Sequence, residues 1–141
     1  MQGIHWHSIN LKLAAGAAAG VVASLLLAGC ASSQTRAERL AMYQAHASEP
    51  IKQMRYFSPQ GWEEVDRDHI LVTMRPSEVY LMRLNGPCLD FDHGAVSMLI
   101  SNTAGLVQPK FDRVSFPGSS MSCQIEEIRQ VDMGALRNAN S

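Results

Sequence analysis

Two short segments of this chain set carboxylates beside a histidine: Asp66-Arg67-Asp68-His69 and Asp90-Phe91-Asp92-His93. That pairing is the raw material of acid–base catalysis or of a metal site. The same residue types also build turns and solvated strand rims, because an Asp side chain bonds readily to nearby backbone N–H groups, and this is the preferred reading of both segments. A metal set drawn from Cys88, Asp90, Asp92 and His93 lacks a second Cys or His at ligand spacing. Glu126-Glu127 offers the two carboxylates that glycan hydrolysis uses, but neighbours on a strand point to opposite faces and would not flank one bond. No G-x-S-x-G, H-E-x-x-H, phosphate-loop or dinucleotide fingerprint occurs. Tyr56 and Trp62 are the best candidates for a sugar platform, although core packing is the commoner use of such rings. The expectation is no catalytic residue and no metal ligand. If the domain takes a ligand, Tyr56, Trp62, Asp90, Asp92 and His93 are the residues to form its surface.

More specific chemistry lies at the front of the chain. Lys12 is the only Lys, Arg, Asp or Glu before residue 30, and the run Leu13 to Ala28, LAAGAAAGVVASLLLA, carries no charge. It is shorter than the roughly 20 residues a membrane-spanning helix needs and suits the apolar region of an export signal. It ends in Leu27-Ala28-Gly29-Cys30, which resembles the lipobox of bacterial lipoproteins. Small residues at Ala28 and Gly29 admit the backbone to a peptidase, and the Cys30 thiol accepts a thioether. The resemblance implies cleavage between Gly29 and Cys30, a diacylglycerol on the Cys30 sulfur and an acyl chain (palmitate) on its new amino group, with no other cofactor. Each buried CH₂ contributes about 0.8 kcal/mol, so one chain anchors weakly and two or three anchor durably. Ala31 stands where an Asp would retain such a protein in the inner membrane, so the resemblance points to the periplasmic face of the outer membrane. Residues 1–29 are thus expected to be a cleaved signal peptide, 30–34 a lipidated tether, and 35–141 a single small periplasmic domain.

Composition fits this plan and narrows the partners. The chain has 141 residues, 46% of them hydrophobic, enough for one modest core. Its 12 Lys+Arg and 13 Asp+Glu leave a net charge of −1, with the signs interspersed. No basic stripe is present to neutralise phosphates, which argues against nucleic acid, and no cationic cluster is large enough to draw the protein to anionic lipid. The expected partners are the lipid bilayer through Cys30, and an envelope protein or cell-wall material.

With Cys30 assigned to lipid, Cys88 and Cys123 form an even pair in an exported domain and read as a disulfide. On the chain-entropy model the loop it closes is worth roughly 3–4 kcal/mol.

The elements that must position these residues follow from pattern. Thr35-Arg36-Ala37-Glu38 matches a capping box. Leu40, Tyr43 and Ala47 then recur at helical spacing, which predicts a helix over 36–47 that packs on a sheet. From Ile51 onward, β-rich runs alternate with turn residues. Strands are expected at 53–57, 62–65, 69–75, 78–84, 96–101, 110–116 and 123–131. The clearest unit is HILVTMR-PS-EVYLMRL, a hairpin turning at Pro76. Ile70, Val72 and Met74 take one face of the first strand and Leu71 and Thr73 the other, and Val79 and Leu81 oppose Tyr80, Met82 and Leu84 in the same way. Apolar residues on both faces mean strands covered on both sides. Residues 123–136 keep partly helical, partly strand spacing. The preferred reading is a strand with a bulge near Glu126-Glu127, then a short helix over 133–137. The fold class is α+β, mainly β: a small antiparallel barrel-like sheet with an N-terminal helix and a short C-terminal helix.

The lipobox, then Ala37-Glu38-Arg39-Leu40, Tyr56-Phe57, Gly61-Trp62, Thr73-Met74-Arg75-Pro76, Gly86-Pro87-Cys88, Phe111-Asp112-Arg113-Val114 and Cys123-Gln124-Ile125-Glu126-Glu127-Ile128-Arg129 occur in order. This order resembles a family of small bacterial lipoproteins classified only as a domain of unknown function. Gln130 departs from the pattern, which leads one to expect proline there. The resemblance carries no catalytic residues. It is consistent with a non-enzymatic interaction or structural module displayed in the envelope. The alternative is a small periplasmic hydrolase or ligand-binding protein, which would need a concave pocket with convergent polar groups.

Overall fold

The computed structural model describes residues 34–86, 88, 97–118 and 120–141. The first described element is the helix α1, Arg36–Ala45. Thr35 and Glu38 close the capping box, with the Glu38 N–H donating to Thr35 Oγ1 at 3.2 Å and the Thr35 N–H donating to Glu38 at 2.8 Å. Such a cap is worth about 1 kcal/mol. It also holds the Glu38 carboxyl below its ordinary pKa, chiefly through the Thr35 backbone bond. The helix stops two residues before the expected end because the chain turns to pair with a strand. His46 caps it, and Ala47 bridges to Val131.

Eight strands follow among the described residues. They are β1 (Met54–Arg55), β2 (Gly61–Glu64), β3 (His69–Arg75), β4 (Glu78–Leu84), β5 (Leu99–Ile100), β6 (Leu106–Val107), β7 (Arg113–Ser115) and β8 (Ser122–Val131). A short helix α2, Met133–Ala139, closes the chain, capped by the Asp132 side chain on the Ala135 N–H. β2-β3-β4-β8-β7-β5 form one antiparallel sheet that curls into a half-barrel, and β1 pairs with β6 in a separate ribbon. β3 and β4 match the expected hairpin residue for residue. The expected strand at 110–116 begins only at Arg113, because Lys110 adopts a left-handed φ of 70° that no strand residue takes. β6 was not foreseen. It rests on a two-residue turn in which Ala104 (φ 52°) and Gly105 (φ 75°) both sit at positive φ, as a type I′ hairpin requires.

The sheet is covered on both sides. Its inner face gathers Ile70, Val72 and Met74 of β3 with Tyr80, Met82 and Leu84 of β4 and Ile125 and Ile128 of β8, closed by Met54 and Val107 of the ribbon. Its outer face gathers Leu71, Val79, Leu81 and Val131 under Tyr43 of α1 and Leu136 of α2. The division of side chains between faces is the one the alternating sequence predicts.

Candidate functional site

Each group of residues that the sequence marks as chemically capable has a definite placement. Asp66 sits in the turn between β2 and β3. Its Oδ1 accepts from the backbone N–H groups of Asp68 (3.0 Å) and His69 (2.8 Å) and lies 2.9 Å from His69 Nδ1. Asp68 Oδ1 is 3.3 Å from the same ring nitrogen, and the ring itself is buried. Burial alone would raise the Asp66 carboxyl, but the Asp68 and His69 bonds together outweigh it and hold the pKa below the ordinary value. Asp66, Asp68 and His69 offer ligand atoms within 4.8 Å of one another, yet those atoms already serve the turn. The turn in turn grips β4 and Cys88: Leu84 N–H donates to the Asp68 carbonyl (2.7 Å) and Cys88 N–H to that of Arg67 (3.2 Å).

Cys88 and Cys123 are joined, with Cα atoms 6.0 Å apart, inside the range a disulfide spans. Trp62 packs on the inner core with its ring 5.3 Å from that of Phe116, and Tyr56 packs on the same core. The two rings therefore lend their faces to packing. Asp90, Asp92 and His93 lie outside the described residues, as do Gly29 and Cys30.

A concave site does exist, at residues the sequence did not single out together. Ile125 and Ile128 both face the inner core although an odd number of positions separates them. The register of β8 on β4 shifts at this point, from Arg83 opposite Glu127 to Leu84 opposite Ile125. The bulge therefore turns Glu126 and Glu127 to the same, outer side. Alternation, which would separate them, fails at a bulge. The free edge of β8 is covered on either side of this point. Ile51 N–H donates to the Ile128 carbonyl at 2.9 Å, and Lys110 N–H to the Ile125 carbonyl at 2.6 Å. Between those two attachments the covering segments part.

The gap is a groove of about 420 Å³ walled by Pro50, Ile51, Lys52, Pro109 and Lys110 and floored by Arg83, Glu126 and Glu127. Glu127 is committed to arginines, 2.6 Å from Arg129 Nε and 3.8 Å from Arg83. Lys52 and Lys110 are exposed. These residues come from four segments distant in sequence. The only local signal was the doubled glutamate where the strand pattern breaks.

A family model described as a family of unknown function, DUF6491, matches residues 12–141. The chain belongs to that family. No curated protein and no solved structure matches it. Membership agrees with the motif order read along the DUF6491 chain and brings no assigned chemistry to the groove or to the Asp66 turn. Among the described residues, no helix is long and apolar enough to cross a membrane.

Proposed function

We propose that this DUF6491 protein is a lipid-anchored envelope protein, cleaved before Cys30 and acylated there, whose domain acts as a non-enzymatic interaction module at the periplasmic face of the outer membrane. The observation that carries the anchor is Leu27-Ala28-Gly29-Cys30 at the end of an uncharged run of 16 residues, Leu13–Ala28. The family match supports it by starting at residue 12, so that it takes in this run and its cysteine. The capped start of α1 at Thr35 gives further support, because it leaves a tether of four residues between Cys30 and the domain, at most about 14 Å of chain. The non-enzymatic part is supported by what the polar clusters are used for. The Asp66–His69 group holds a turn, and Glu127 is neutralised by two arginines.

Metabolic labelling with a radioactive fatty acid tests the anchor. The wild-type chain is expected to carry label and to sediment with membranes. Cys30→Ala is expected to lose the label and appear in the soluble periplasmic fraction. A Cys30→Ala protein that still partitions with membranes would refute the anchor. A ligand-binding alternative draws on one specific observation, the presence of Glu126 and Glu127 in the same groove. It predicts saturable uptake of a small molecule that is lost on Glu126→Gln.

A further inference from the structure

The turn Gln108–Asp112 beside the groove is built at visible cost and then left uncovered. Asp112 is only 6% exposed, and its carboxylate accepts from Ser101 Oγ (2.6 Å) and from the Gln108 N–H (2.8 Å). Ser101 Oγ in turn accepts from the Arg113 N–H at 2.9 Å. Lys110 is held in the left-handed region at φ 70° by its N–H bond to Ile125 and by Gln124 Nε2, which donates to its carbonyl. A non-glycine residue in that region is strained and persists only where its surroundings impose it. The turn so fixed presents Phe111 at 79% exposure, the most exposed large hydrophobic residue described, and places Lys110 on the groove wall opposite Lys52. A rigid, solvated aromatic residue next to a cation is the composition of an interface anchor, since such a ring gains burial and loses little entropy on docking. The groove lining has three cations, Lys52, Lys110 and Arg83, against two carboxylates, Glu126 and Glu127, the latter paired with Arg83 and with Arg129. Its surplus is positive, in a chain whose net charge is −1.

We infer that the groove and the Lys110–Phe111 turn together form the docking face for an acidic segment of a partner protein, whose carboxylates meet Lys52 and Lys110 and whose apolar side chains cover Phe111. This names the partner class for the interaction module proposed above and rests on that reading, but not on the anchor.

The test uses the full-length protein in detergent and a fluorescent glutamate–tyrosine random copolymer. A lysine–tyrosine copolymer serves as the charge-reversed control. Anionic phospholipid vesicles and purified cell-wall sacculi are run alongside. The expected result is salt-sensitive binding of the acidic copolymer only. It should weaken at least tenfold in Lys52→Glu/Lys110→Glu and about fivefold in Phe111→Ser. Arg67→Glu/Arg137→Glu changes net charge equally on residues outside the groove and should leave binding unchanged. Each variant is checked for an unaltered melting curve. Equal binding of both copolymers, loss of binding in the Arg67/Arg137 control, or no binding at all would overturn the proposal. Binding to vesicles or sacculi but not to the acidic copolymer would overturn the partner class. The Cys30→Ala protein should bind as the wild type does, so a failed anchor and a failed docking face give different results.

Discussion

The turn at Asp66–Asp68 and the turn at Gln108–Asp112 are each organised around one aspartate carboxylate, and they spend it differently. In the first, Asp66 collects two backbone N–H groups and a buried histidine, and the turn's own carbonyls hold Leu84 and Cys88. The polar contacts of that turn are used within the fold. In the second, Asp112 lies deeper and its bonds fix the backbone, yet the residues just before it, Lys110 and Phe111, stand in solvent. A cluster of titratable groups is thus a poor pointer to function in this molecule. A rigid scaffold under an exposed aromatic ring is the better one, because folding stability alone gives no reason to present it.

Substitutions can break this contrast. The largest effect is expected from Asp112→Ala, which removes a buried carboxylate together with its bonds from the half-buried Gln108 N–H and the Ser101 hydroxyl and should cost about 1–2 kcal/mol. Urea unfolding measures it, and a loss below about 0.5 kcal/mol would show that the turn needs no such brace. Asp66→Asn keeps an acceptor for the backbone but loses the charge, and should cost about 1 kcal/mol at neutral pH. The sign of its pH dependence is fixed by the shift. The folded-state pKa of Asp66 lies below the ordinary value near 3.8. Its contribution is therefore complete above that value and disappears as the pH falls through the folded-state pKa. The gap between wild type and Asp66→Asn should close in acid, and a gap that is constant from pH 7 to pH 3 would contradict the ionic role. The smallest effect belongs to Phe111→Ser, which should leave stability within about 0.5 kcal/mol of wild type. A large loss there would mean that the ring packs on something and is not a free anchor.

The legible parts of this fold were those in which one local rule acted without competition. The β3–β4 hairpin could be read to the residue because period-two alternation, a proline turn and two apolar faces agree. The bulge on β8 was visible because apolar parity switches between Ile125 and Ile128. Where rules competed, the reading slipped. Phe111 continues the β-rich run of Val114 and Phe116, but bonds from β8, at Ile125 and Gln124, impose a turn on residues 110–112. β6 has only two residues, too few for a periodic signal. The groove was illegible for a different reason: Lys52, Arg83 and Lys110 share no motif, and only the closure of the half-barrel brings them together. The alternation rule sends Glu126 and Glu127 to opposite faces, and the bulge at that point suspends it.

The docking of α2 beside α1 has a practical side. Asn140 Nδ2 lies 4.0 Å from Met42 Sδ, and Met42 is about 9 Å along the helix from Arg36, where the tether joins the domain. On the anchor proposed above, a reporter fused after Ser141 would emerge beside α1, close to the end that the lipid would hold. A short epitope inserted between Ala104 and Gly105 would leave from an exposed hairpin tip remote in sequence from both termini. For labelling, imaging or pull-down of this protein, the interior hairpin is the better handle.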